Sequence, residues 1–207
     1  MREGPLVPDA QQTPPRWSHC WGPWLIVPAL GALTVVLMRL EGRRWWCAGG
    51  EAFLWTSDVW SRHNSQHLGD PYSFTHVSHG LIFFGLLTII PFSNRWPISW
   101  RLCVATAGEA LWEVLENTPW VIERYRETTM ALGYEGDSIA NALGDIGCFI
   151  LGFALAARLG FRWSLALFVT MEVVLVMTIR DNLALNVLML LWPVEAIKVW
   201  QTAGQGM

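Results

Sequence analysis

Several stretches of this chain are apolar over the thickness of a lipid bilayer, and that removes most of the folds open to 207 residues. Crossing the hydrocarbon layer takes about 20 mostly apolar residues, with a range of about 17 to 25. Residues 24–40, 74–92, 104–122, 138–157 and 161–179 approach or meet that length, and 183–199 forms a shorter sixth stretch containing Pro193. Lipid offers no partner to backbone N–H and C=O groups, so a spanning segment of this kind must be helical. The expectation is an all-α protein, a polytopic transmembrane helix bundle of five to six helices. Residues 1–23, with Pro5, Pro8, Pro14, Pro15 and Pro23, read as a disordered tail. Residues 24–201 then form a single transmembrane helical domain with a 41–72 loop region, followed by a C-terminal tail at 202–207.

Composition agrees. Hydrophobic residues make up 53% of the chain and charged residues only 15%, below the roughly 25% usual in soluble domains. Many of the 14 tryptophans fall at the ends of the apolar stretches: Trp21 and Trp24, Trp45 and Trp46, Trp96 and Trp100, Trp120, Trp163, Trp200. Indole prefers the headgroup level, so this spacing reads as an aromatic belt. The implied partner is the lipid bilayer and the implied location the inner (plasma) membrane, multi-pass. A net charge of −3 supplies no field to attract polyanions, which excludes a nucleic-acid binder with a basic face. Arg and Lys divide evenly between the two sides of the layout, so the positive-inside rule leaves orientation open. The cysteines have no C-x-x-C spacing and imply no disulfide framework.

The third stretch contains Glu109, Glu113 and Glu116. An ionised side chain at the bilayer centre costs about 2.5 to 3.5 kcal/mol, so three would cost about 8 kcal/mol. Their i, i+4, i+7 spacing puts them on one helix face. That face must meet protein or water, and its acids must be protonated, paired or bound to a cation. Asn117 and Pro119 follow, where the helix bends or ends. Asp137, Asn141 and Asp145 form a second stripe at i, i+4, i+8. Asp137 also reads as a helix N-cap, in competition with Ser138. Gly144 and Gly147 would let another helix come close.

His67 and Asp70 precede the second stretch, and His76 and His79 stand one turn apart at its head if that helix begins at Pro71 or Ser73. Such a pair can hold a transition metal or relay protons. His63 and His67 form a further H-x-x-x-H. Arg124 and Arg126, in the connector Glu123-Arg-Tyr-Arg-Glu-Thr-Thr, are placed to pair with the acids or to bind an anionic headgroup.

The runs Ser65-Gln-His-Leu, Asp70-Pro-Tyr-Ser-Phe-Thr-His, Gly108-Glu-Ala-Leu-Trp-Glu-Val-Leu-Glu-Asn-Thr-Pro and Gly133-Tyr-Glu-Gly-Asp-Ser-Ile-Ala-Asn-Ala-Leu-Gly-Asp are long enough to be specific. Together with Arg180-Asp-Asn and Trp192-Pro-Val-Glu, they resemble an uncharacterised family of bacterial multi-pass inner-membrane proteins. The resemblance implies a plasma-membrane location and brings no activity, substrate or cofactor. A fainter likeness, to VanZ-type membrane proteins, rests on a glutamate helix followed by a Gly-Asp helix. Glycine motifs of nucleotide binders and the G-x-S-x-G of serine hydrolases are absent.

Three readings stay open. In the first, His67, Asp70, His76, His79, Glu109, Glu113, Glu116, Asn117, Arg124, Arg126, Asp137, Asn141 and Asp145 form a buried cluster that binds a cation, a proton or a lipid headgroup. In the second, the protein is a membrane-embedded, metal-assisted hydrolase or lipid-modifying enzyme: His76, His79 and Glu113 hold a divalent metal, Glu109 or Glu116 acts as base and Arg126 holds a phosphate. In the third, the polar groups only bolt helices together, at about 0.6 to 2 kcal/mol each.

Overall fold

The computed structural model describes residues 21–131 and 133–203. The expected N-terminal tail up to residue 20, and residues 204–207 of the expected C-terminal tail, lie outside the described residues. Among those described, the chain is all-helical: α1 (Gly22–Leu40), α2 (Ser73–Ile89), α3 (Ile98–Glu116), α4 (Pro119–Thr128), α5 (Ile139–Ile179), α6 (Leu183–Leu191) and α7 (Glu195–Thr202), with one 3₁₀ turn at Ser93–Arg95.

Local signals set the boundaries. Pro23 sits in the first turn of α1, where its missing N–H is no loss. α3 begins six residues before the third apolar stretch and stops at Asn117. Thr118 then caps α4, accepting a bond from Val121 N, with Pro119 in its first turn. Ser138, not Asp137, caps α5: its hydroxyl accepts from Asn141 N at 3.1 Å. The sixth stretch is not one helix. Pro193 supplies no N–H, so α6 ends after nine residues and α7 starts anew at Glu195.

The 41 residues of α5 are two helices that double back at Gly160, whose φ of 72° and ψ of 173° break the helical path. Ser73 Oγ donates to Asp145 at 2.7 Å, and the neighbouring Tyr72 hydroxyl donates to Asp181 at 3.1 Å. A straight helix would hold those two aspartates ~50 Å apart. The fourth and fifth apolar stretches are therefore separate antiparallel segments, 139–159 and 161–179. Glu172 reinforces the return: its carboxylate accepts from Leu183 N (3.2 Å) and Ala184 N (3.0 Å) at the start of α6.

α2 and the first half of α5 pack with their backbones nearly touching. A Cβ on Gly80 would lie 2.1 Å from Phe149 O, and one on Gly152 would lie 2.1 Å from Val77 O. Beside this contact Phe83 and Phe84 meet Phe149 and Phe153 edge-on, at 5.5 and 5.2 Å, over a core with Ile98, Leu102 and Ala105. Gly144 fits tightly against Leu68 O of the loop, whereas nothing approaches Gly147.

The 41–72 loop folds over one end of the bundle. Ser65 O, Arg44 O and Trp45 O accept the first backbone N–H groups around the start of α5, from Ser138, Ile139 and Ala140. The outward faces are apolar, with Leu33 and Val36 of α1, Leu86 and Ile89 of α2, Leu111 and Leu115 of α3, and Val169, Val173 and Met177 of α5 all exposed. His67, His76, Asp70, Glu109, Glu113, Asp137 and Asp145 lie inside. α1 and α5 are long and apolar enough to cross a membrane, and α2 is a shorter apolar helix.

Candidate functional site

The first turns of α2, the last turns of α3 and the first turns of α5 meet beneath the loop, and each brings its polar stripe to the meeting point. His76 and His79 come from α2 with ring centroids 5.1 Å apart. His76 Nδ1 lies 2.6 Å from Glu109 Oε1 and 3.3 Å from Glu113 Oε1. His79 Nδ1 lies 3.2 Å from both Glu109 oxygens. On the far side of the ring, His76 Nε2 faces Asp145 Oδ2 at 3.9 Å, and Asp145 is oriented by the Ser73 hydroxyl. Glu109, Glu113 and Asp145 are buried, as is His76; His79 is half-buried.

Glu113 is the anomaly of this cluster. Its side chain is fully buried, yet neither carboxylate oxygen accepts a hydrogen bond. His76 Nδ1 is near enough to attract it but directs its N–H at Glu109. A buried carboxylate without donors costs several kcal/mol unless a cation or a proton neutralises it. Three carboxylates around one imidazole leave the cluster short of positive charge. Two sets of three ligand atoms, one from His76, His79 and Glu109 and the other from His76, Glu113 and Asp145, each lie within 4.8 Å of one another. These buried groups could hold a metal ion.

A cavity of about 90 Å³ adjoins the cluster, lined by His76, His79, Glu116, Asn141 and Asp145 together with Tyr72, Tyr125 and Tyr134. Three liquid-like waters fill about that volume. The Asn141 amide nitrogen is buried and unpartnered. At the rim, Asn117 and Asp137 clasp each other: Asn117 Nδ2 donates to Asp137 Oδ2 (2.8 Å), and Asp137 N donates to Asn117 Oδ1 (2.6 Å). Tyr134 donates to the other Asp137 oxygen. Burial raises the Asp137 carboxyl above its ordinary range against these donors. Burial likewise pushes Asp70 to about 6, although the Ser65 and Tyr72 amides hold its carboxylate.

Not every residue singled out from the sequence joins this cluster. Arg124 turns to the Leu190 carbonyl (3.0 and 2.8 Å), and Arg126 turns to the Tyr134 carbonyl with Glu123 3.8 Å away. Neither guanidinium reaches the acids, because each caps backbone carbonyls across the short α4 connector instead. His67 stands apart with Cys47 and His63. Sequence reasoning passed over Ser73, Tyr134 and Asp181. The run Asp70-Pro-Tyr-Ser is the one local signal for Ser73, since its hydroxyl also accepts from Asp70 N as the helix begins.

The fold and site define an all-helical protein with a buried His/Glu/Asp cluster that could hold a metal. Residues 38–203 match the family described as "Protein of unknown function (DUF2585)", and the chain belongs to it. It is 46% identical over 182 residues to a UPF0314 protein of Sphingopyxis alaskensis, covering 87% of this chain and 95% of that relative. A UPF0314 protein of Paracoccus denitrificans is 43% identical over 188 residues, covering 91% and 94%. Another, of Rhizobium meliloti, is 44% identical over 180 residues, covering 86% and 90%. No solved structure matches the chain.

Proposed function

We propose that this protein is a polytopic inner-membrane protein that binds a divalent cation inside its helical bundle. The membrane part of this reading is supported by polarity turned inside out. Large apolar side chains cover the outside, and Trp21, Trp120 and Trp163 are exposed at segment ends, while carboxylates and imidazoles fill the interior.

One observation carries the cation part: Glu113, fully buried, holds two carboxylate oxygens without a hydrogen bond beside a histidine already spent on Glu109. An ion at His76 Nδ1 would take that nitrogen, His79 Nδ1 and the Glu109 carboxylate, and would draw in Glu113, which belongs to the other ligand set and lies 3.3 Å from the same nitrogen. Asp145 would then face the second nitrogen of His76, as outer carboxylates do in metal sites. A mixed imidazole and carboxylate set suits zinc or manganese. Among the described residues no Arg or Lys lines the adjoining cavity, so its charge favours a cation over a phosphate or an anionic headgroup.

The metal-assisted hydrolase is supported by the adjoining cavity alone. Its phosphate-holding group falls away, since Arg126 is turned to Tyr134 O. The test is metal analysis of the full chain purified from membranes in detergent and dialysed against zinc or manganese. Stoichiometric metal, one equivalent of which is lost in Glu113→Gln, supports the reading. Metal-free protein, or unchanged metal in that variant, refutes it.

A further inference from the structure

The loop between α1 and α2 carries a second set of metal-binding side chains, separate from the acid–histidine cluster. Cys47 and His67 are buried and His63 half-buried. Cys47 Sγ lies 3.6 Å from His63 Nδ1, and that nitrogen lies 3.0 Å from His67 Nε2. Glu51 Oε2 is 3.8 Å from the sulfur. One ligand atom from each of Cys47, His63 and His67 lies within 4.8 Å of the other two. Zinc holds thiolate at about 2.3 Å and imidazole at about 2.0–2.1 Å, so a tetrahedral site sets sulfur and nitrogen about 3.6 Å apart. The Cys47–His63 distance is that edge.

The surroundings hold the ligands in place. Trp46 Nε1 (3.0 Å) and Phe53 N (3.2 Å) both donate to His67 Nδ1, which turns Nε2 toward His63. The Phe53 ring packs against both imidazoles, at 4.9 Å from His67 and 5.7 Å from His63. The two imidazoles stack at 5.2 Å. An ion here takes the place of the proton shared between the rings: that proton passes to solvent, and His67, whose Nδ1 only accepts, binds as an imidazolate whose charge the two N–H donors on Nδ1 offset. The thiol proton leaves as well, because the thiolate is the ligand.

We propose that Cys47, His63 and His67, with Glu51 as the nearest fourth ligand, form a metal site for a borderline-soft divalent ion such as zinc. Sulfur sets it apart from the nitrogen–oxygen cluster below, so the two sites select metals differently. Filling it would also fix the cavity wall, since Asn64 and Ser65, between the two histidines, line the cavity.

Cobalt(II) titration of the full-length protein in detergent tests the site by colour. A bound thiolate gives cobalt an intense near-ultraviolet charge-transfer band that nitrogen and oxygen ligands do not. The band should saturate stoichiometrically, persist in Cys103→Ser and Glu113→Gln, and vanish in Cys47→Ser. His63→Ala, at a half-exposed loop position, should weaken cobalt binding by at least about tenfold without unfolding the chain. Absence of the band in the unaltered protein, its survival in Cys47→Ser, or an unchanged titration in His63→Ala overturns the proposal.

Discussion

Glu109 Oε1 stands 2.6 Å from His76 Nδ1, and both side chains are shut away from solvent on two different helices. Such a pair is costly to form, and more costly to break on one side only, because the abandoned charge stays buried. His76→Ala should destabilise the protein by about 3–5 kcal/mol, since it strands Glu113, takes the facing imidazole from Asp145 and leaves Glu109 to His79 alone. Thermal unfolding in detergent measures this, and a loss below about 1 kcal/mol would show that the imidazole does not hold the acids.

Glu113→Gln should act in opposite directions on stability and on binding. In metal-free protein it removes a carboxylate with no donors, and stability should rise by about 1–3 kcal/mol. Metal affinity should fall at least about tenfold, because a charged ligand becomes a neutral amide. Unfolding curves recorded with and without metal separate the two effects.

Gly152→Ala should be severely destabilising. Its methyl group would meet Val77 O at 2.1 Å, a backbone atom that no side-chain rotation can clear. A cost of about 2–3 kcal/mol or more follows from forcing α2 and α5 apart. Gly147→Ala, on the same helix with nothing near it, should be harmless and serves as the control.

Asp181 accepts from Tyr72, Asn182, Asn186 and Gln201, and burial still pushes its carboxyl up to about 6. The folded value lies above the unfolded one, so the folded state binds the proton more tightly. The stability this supplies is complete at about pH 4 and is lost as the pH rises through about 6. Melting temperatures across that window should fall in the unaltered protein. The fall should be shallower in Asp181→Asn, which has no proton to lose, and identical slopes would remove Asp181 as a cause.

Much of this was legible from period and cost. Glu109 and Glu113 lie on one face because i, i+4 spacing admits nothing else in a helix, and their presence in an apolar stretch required a partner. His76 and His79 followed from the companion i, i+3 spacing, which also puts two residues on one face. The turn at Gly160 was readable only as a gap between two apolar stretches, because a single glycine carries no sign of a reversal. The Gly80–Gly152 contact was missed, since close approach depends on which helices are neighbours. Arg124 and Arg126 were misdirected for a similar reason: short-range charge logic pointed them at the acids, while unsatisfied carbonyls at Leu190 and Tyr134 lay nearer. The separation of His67 from His76 depends on how the 41–72 loop folds, which no periodicity encodes.

One cation in the cluster around His76 Nδ1 is what the proposed function requires. X-ray absorption on the Cys47→Ser protein loaded with zinc tests it most directly, because the thiol site is then removed. The zinc should show a first shell of nitrogen and oxygen only, with the multiple-scattering pattern of two imidazoles, and should be lost when Glu109→Gln and Glu113→Gln are combined. A protein that binds no zinc, or whose zinc shell is unchanged in the double variant, would contradict it.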